Sequence, residues 1–242
     1  MRRFFIFTKA MFLMQLRSRE VLFWNFAFPV FLMLIFGLIM RAYINWMVPG
    51  IIVLNALSFG LVGSSSMMVD MRDKGILRRL RATPLPALQL LGSYLIINLL
   101  LSLCQAGLVL ICARLLYGMP LSATGLLLAV PLIMAGTLTF LALGQLVGGL
   151  APRAGAATAM GMSLYFGMMF ISDLIFPAAQ LPAWLQQIVP YLPSTLVAEM
   201  VRPALLDAAL DPQVLAHLAL LAVYAVAATL LVSRVFRWEP KA

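Results

Sequence analysis

The side chains able to do bond chemistry are few and badly placed for it. Gly63-Ser64-Ser65-Ser66 offers hydroxyl nucleophiles, and the chain's single histidine, His217, offers a base. A serine is activated only by a base within hydrogen-bond reach. The serines close one long apolar run and His217 opens another, so a membrane's thickness separates them if both runs are spans. No His, Cys, Asp or Glu group has metal-ligand spacing, and no G-x-x-x-x-G-K-[ST] phosphate loop occurs. The sequence therefore predicts no catalytic residue, no metal site and no cofactor held by this chain. Cys104 and Cys112 stand about 12 Å apart along a helix, too far for a disulfide. They read as buried, reduced, small hydrophobes.

The chemistry that remains is electrostatic. Arg72, Lys74, Arg78, Arg79 and Arg81 make a basic island between two apolar runs. The segment Asp73–Ala82 reads as a short helix capped by Asp73. It is stopped by Thr83-Pro84-Leu85-Pro86, because proline lacks the amide donor and crowds the preceding turn. Lys74, Arg78 and Arg81 share one face, and Ile76, Leu77 and Leu80 form an apolar side. Two readings follow. One is an anchor on anionic lipid. The other is a docking helix for a cytoplasmic partner, made of Asp73, Lys74, Gly75, Ile76, Leu77, Arg78, Arg79, Leu80 and Arg81.

The elements that hold this island are membrane spans. Of 242 residues, 64% are hydrophobic and 10% charged, against about 45–50% and 25% in soluble domains. The chain is predicted to be an all-α integral membrane protein, a single domain over residues 1–242. Six runs reach the roughly 20 apolar residues a span needs: 21–40, 47–69, 87–113, 124–150, 155–176 and 213–235. Before them, residues 2–19 place Phe4, Phe7, Met11 and Met14 at helical spacing, which predicts an amphipathic helix lying in the interface. Threading six spans from an inside N-terminus puts fourteen of the seventeen Lys and Arg on the inner side. The positive-inside rule then makes both termini cytoplasmic. The net charge of +9 belongs to these loops and does not call for nucleic acid, since base-stacking aromatics are absent from the island.

Residues 176–212 break the pattern. They hold Pro177, Pro182, Pro190, Pro193, Pro203 and Pro212, too many for a span. Leu181, Trp184, Leu185, Ile188 and Val189 are nevertheless apolar at helical spacing. Short helices dipping into the outer leaflet, with Trp184 near the interface, satisfy both facts. Within the spans, polar residues are few, and Asp173 sits where it can reach outer water. Asn55, Ser58 and Phe59 in the second span, with Met168, Met169 and Phe170 in the fifth, are candidates to line a cavity, since Met and Phe make adaptable apolar surfaces. Ordinary packing is the alternative for each. Gly155, Ala159, Ser163 and Gly167 form a ridge of small residues, a candidate helix contact either within or between subunits. Gly144 and Gly148 read as packing inside one subunit.

Taken together, Val48-Pro49-Gly50, Arg72-Asp73-Lys74-Gly75, Leu80-Arg81-Ala82-Thr83-Pro84-Leu85-Pro86, and the distal Phe176-Pro177, Leu181-Pro182-Ala183-Trp184-Leu185, Pro190, Pro193 and Arg202 resemble type-2 permeases of ATP-binding-cassette exporters. The nearest in wording are bacterial drug or antibiotic exporter permeases. The resemblance implies that 2–19 is a connecting helix and 73–82 the coupling helix that sits on a separate ATPase subunit. It implies that Pro177, Leu181, Pro182, Trp184, Leu185, Pro190 and Pro193 belong to an outer re-entrant cap. It also implies two permease copies, a homodimer or a heterodimer, in a bacterial inner membrane. ATP and Mg would lie on the partner, and the cargo would be amphipathic or lipid-like. An intramembrane enzyme and a secondary carrier are the rival classes.

Overall fold

The computed structural model describes residues 23–75, 87–175 and 177–235, with positions 8, 9, 12, 13, 15 and 17 before them. Among these residues every regular element is helical. Helix α1 (Phe28–Ile39) is entered through a π-helical turn, Phe23–Ala27. Helix α2 (Arg41–Asp73) is followed by α3 (Ala87–Tyr117), α4 (Ala123–Leu150) and α5 (Ala154–Ile171). A single turn, α6 (Ala183–Gln186), precedes α7 (Pro193–Asp207) and α8 (Val214–Val235).

Five of these, α2, α3, α4, α5 and α8, are long and apolar enough to cross a bilayer. The sixth expected span, 21–40, is shorter among the described residues. The apolar helix there is Asn25–Ile39, about 22 Å long against a hydrocarbon core of about 30 Å. The connecting-helix segment 2–19 lies mostly outside the described residues. The positions of it that are described are helical, with Phe12 packed on a cluster of Phe59, Tyr94, Ile97, Leu101 and Leu141.

The bundle is organised around α2: in its apolar 18-residue stretch 83% of the residues are buried, against 11% in the corresponding stretches of α5 and α8. A helix apolar all round belongs inside, and Met47, Val48, Ile51, Ile52, Val53, Leu54, Ala56 and Leu57 are all buried. Small residues let neighbours approach its backbone. A Cβ on Gly144 of α4 would lie 1.8 Å from the Gly60 carbonyl oxygen, and one on Gly161 of α5 would lie 2.4 Å from that of Leu61. Both contacts fall where α2 widens into a π-helical stretch, Phe59–Ser64. The serines just beyond it satisfy nearby carbonyls: Ser65 donates to Leu61, and Ser66 donates to Val62 at 2.7 Å. Gly144 and Gly148 thus pack within the chain, as expected. The cysteines differ from expectation: both are free, but Cys104 is exposed on the outside of the bundle and Cys112 only half-buried.

Two boundaries also differ from the sequence reading, each for a visible reason. Helix α2 runs on to Asp73, so Asp73 ends a span rather than opening the coupling helix. The stop is Gly75, whose φ of +66° is left-handed, with the Lys74 and Gly75 amides bonded back to Asp70 and Arg72. The expected coupling-helix residues Ile76, Leu77, Arg78, Arg79, Leu80 and Arg81 lie outside the described residues. Helix α5 ends at Ile171 rather than 176, because Ser172 is extended. Its sequel packs deep: a Cβ on Gly50 of α2 would meet the Leu174 carbonyl oxygen at 1.9 Å.

From there the chain makes three short turns, Ala178–Gln180, Ala183–Gln186 and Val189–Tyr191. The Tyr191 carbonyl accepts from the Tyr224 hydroxyl at 2.8 Å, about 15 Å along α8 from its start. Helix α7 then returns, until the Ala204 and Leu205 carbonyls face Gly125 at the beginning of α4. The segment 176–212 is therefore not short turns throughout. Pro193 starts α7, where proline is tolerated, and Ser194 through Ala198 of this helix are buried.

Candidate functional site

Charged side chains gather at the two ends of the bundle. The basic end is where α2 stops and α4 turns into α5. Arg72 is 7% exposed, and its guanidinium donates to the Ala151 and Pro152 carbonyls at 2.9 and 3.0 Å. Ala151 caps the C-terminus of α4, where carbonyls lack intrahelical partners and the helix dipole favours a cation. Asp73, one residue on, accepts the Ala154 amide at 3.3 Å. That amide opens α5, whose cap residue Arg153 offers no side-chain bond of its own. Arg72 Nε stands 3.6 Å from Asp73 Oδ1, so the two caps are electrostatically joined. Lys74 pairs with Asp70 at 2.7 Å on the surface, worth little by itself.

The opposite end holds a larger cluster. Arg202 of α7 bonds Asp173 at 3.0 Å, with the Asp173 side chain 17% exposed, and its second nitrogen donates to the Asp173 carbonyl at 2.8 Å. The same guanidinium lies 4.1 Å over the Trp46 ring of α2. Asp173 also accepts the Ala178 amide at 2.7 Å. It does not simply reach water, as its place near a span end suggested. Nearby, His217 of α8 stands 2.9 Å from Asp211 and 3.6 Å from Glu199. Burial raises the Glu199 carboxyl above its ordinary range. Asp173 and Asp211 add to this, while His217 and Arg202 oppose it. Burial lowers the Arg202 pKa, and the Asp173 carboxylate opposes that shift.

The other predicted site residues scatter. Asn55 is buried, with its amide nitrogen bonded to the Asn25 carbonyl at 3.0 Å. That carbonyl belongs to the π-turn before α1. Phe59 sits in the cluster with Tyr94 and Leu141, and Ser58 is half-buried. Met168 and Met169 pack against the main core, and Phe170 is exposed. Asn55 and Phe59 thus sit inside the bundle, whereas Phe170 is on its outside. The ridge faces outward: Gly155, Ala159 and Ser163 are exposed, and a Cβ on Gly155 or Gly167 would meet nothing within 4 Å. Of the expected cap residues, Pro193 is buried, Pro177, Leu181 and Leu185 half-buried, and Pro182, Trp184 and Pro190 exposed.

The hydroxyls weighed for catalysis are spent on the backbone. Ser65 also reaches the Ala157 carbonyl at 3.4 Å, and His217 lies beside carboxylates at the other end. Arg72, Glu199, Arg202 and Asp211 carried a signal that periodicity did not use. In a chain with 10% charged residues, a charge inside or beside an apolar run needs a partner.

The family model for the ABC-2 type transporter matches residues 2–206. The chain belongs to this family, and its long apolar helices make it a multi-pass membrane protein. It is similar to Nodulation protein J of Rhizobium leguminosarum bv. viciae, with 34% identity over 101 residues, 42% of this chain and 39% of that relative. The match thus spans about two fifths of the relative's length.

Proposed function

We propose that this chain is the membrane-spanning subunit of an ATP-driven exporter that moves amphipathic or lipid-like cargo, a drug, antibiotic or glycolipid, out of the cytoplasm or inner leaflet. The family match over residues 2–206 carries this reading. Two permease copies pair, as a homodimer, in a bacterial cytoplasmic membrane with both termini inside. The ATPase partner binds ATP and Mg and docks on the segment beyond the end of α2, Lys74 to Arg81. Its closure moves the permeases between inward- and outward-facing states, because nucleotide binds one state better than the other. The apolar faces of α5 and α8, largely unburied within one chain, suit lipid and a second copy. The hairpin from Pro177 to Pro193, returning through α7, serves as the outer cap. A secondary carrier driven by protons would need a relay of acids and histidine across the spans. The described acids and His217 instead gather at the ends.

The test is reconstitution with the candidate ATPase in liposomes carrying a fluorescent phospholipid probe. ATP-dependent movement of the probe and co-purification of the ATPase are expected. Arg78→Glu with Arg81→Glu should weaken co-purification by charge reversal. Undiminished capture and stimulated hydrolysis by this double variant would leave the segment a lipid anchor.

A further inference from the structure

We infer that Arg72 and Asp73 are positioning residues that make the α4–α5 turn move with the end of α2. The inference rests on the ATP-driven reading above and adds the route by which movement spreads. The end of α2 is joined by chain to the docking segment, but the cargo path must involve other helices as well. Something has to carry displacement sideways from α2 into α4 and α5.

The Arg72–Asp73 pair is built for that. Each residue satisfies a different helix end: Arg72 takes the unpaired carbonyls where α4 stops, and Asp73 takes the free amide where α5 starts. The charges match both helix dipoles, cation at a C-terminus and anion at an N-terminus. Charge-assisted bonds to backbone are short-ranged and directional, so the turn cannot slide along α2 without breaking them. Arg72 is buried, which shields its bonds from water. Above the clamp, Ser65 to the Ala157 carbonyl and Val69 packed with Ala151 and Ala157 keep the three helices in register.

The experiment uses the whole complex with its ATPase in nanodiscs, in a Cys104→Ser, Cys112→Ser background. Spin labels are placed at Asp70→Cys on α2 or at Arg153→Cys on the turn. The distance between the two permease copies is read with and without ATP, Mg and vanadate. In the otherwise unsubstituted chain both distances should shift. Arg72→Ala and Asp73→Ala should each leave the Asp70 shift intact and cut the Arg153 shift by about half or more, as expected when one of two biased elements is unlinked. Asp73→Asn should preserve it, because the amide oxygen still accepts the Ala154 amide. A purely structural role would diminish both shifts together, and an Arg153 shift untouched in both alanine variants would also overturn the inference. No shift at Asp70 in the unsubstituted chain would refute the ATP-driven reading and this inference with it. A second measurement avoids any folding defect of the alanine variants. Val69→Cys with Ala157→Cys, which leaves Arg72 and Asp73 in place, should cross-link equally well in both nucleotide states. Cross-linking lost in the vanadate state would mean that the clamp opens, and the inference would fail.

Discussion

Gly161 and Gly167 lie on the same helix, and their surroundings are opposite. A Cβ on Gly161 would come within 2.4 Å of the Leu61 carbonyl oxygen, while one on Gly167 would meet nothing within 4 Å. The Gly161 face of α5 is pressed onto α2 at its π-helical stretch, where a backbone carbonyl occupies the space a side chain would need. The Gly167 face also carries Gly155, Ala159 and Ser163, and it looks out of the chain. A small residue on a membrane helix therefore records that something comes close only if the neighbour is known. On one face that neighbour is this chain. On the other it is lipid or another molecule.

The largest effect should come from filling the closed face. Gly161→Leu sets a branched side chain against backbone that cannot rotate away, and overpacking of this kind costs about 3 kcal/mol or more. Thermal unfolding in detergent should show a large drop in midpoint or failure to fold. A midpoint unchanged by Gly161→Leu would mean that α2 and α5 are not in contact there, and the contrast between the faces would dissolve.

Next comes the ion pair that ties the segment after α5 to α7. Arg202→Ala strands the Asp173 carboxylate, 17% exposed, and removes the cation from the Trp46 face. Losing one partner of a largely buried pair costs about 3 kcal/mol. Asp173→Asn added to Arg202→Ala should recover part of that loss, because the stranded charge is gone. A double variant no better than Arg202→Ala in the same melting assay would show that the pair contributes little beyond packing.

Much of this was legible from sequence, and the gaps have physical causes. Helix type and the extents of α4 and α8 follow from apolar runs and a cap such as Ser122, which accepts the Gly125 amide at 2.9 Å. Span ends were less legible. The left-handed Gly75 and the extended Ser172 are decided by a few dihedrals rather than by hydropathy. The ridge Gly155, Ala159, Ser163 and Gly167 was visible as spacing, but spacing does not say which face meets α2. The stripe that does, Ala157 and Gly161, has the same residue types. The Arg72–Asp73 clamp was hidden for a related reason. Its partners are main-chain groups at Ala151, Pro152 and Ala154, and backbone groups leave no mark on sequence.

On the open face the effect on stability should be small. A Cβ at Gly167 has no neighbour within 4 Å, so with Gly167→Leu the melting midpoint should move by no more than the equivalent of about 0.5 kcal/mol. Association is where it should act. Disulfide trapping between copies through Ser163→Cys should fall clearly when Gly167→Leu is added, because the bulk holds two backbones apart. A melting loss as large as that of Gly161→Leu would place Gly167 inside the fold. Undiminished trapping would assign this face to lipid.

The smallest effect is a titration. Glu199 lies beside His217, Asp211, Asp173 and Arg202, and burial raises its pKa above the ordinary value of 4.5. A carboxyl with a raised folded-state pKa binds its proton more tightly folded than unfolded. The stability this contributes is fully present below the unfolded-state pKa and is lost as pH rises through the folded one. Melting midpoints should therefore decline as pH rises across that window, and Glu199→Gln should flatten this part of the decline. The side chain is 37% exposed, so solvent screening keeps the amplitude modest. His217 pulls the Glu199 pKa down, which gives the measurement a second sign. In a His217→Gln background the decline should move to higher pH, and Glu199→Gln should again remove it. A decline that moves to lower pH instead would mean that α7 and α8 do not hold these two side chains together.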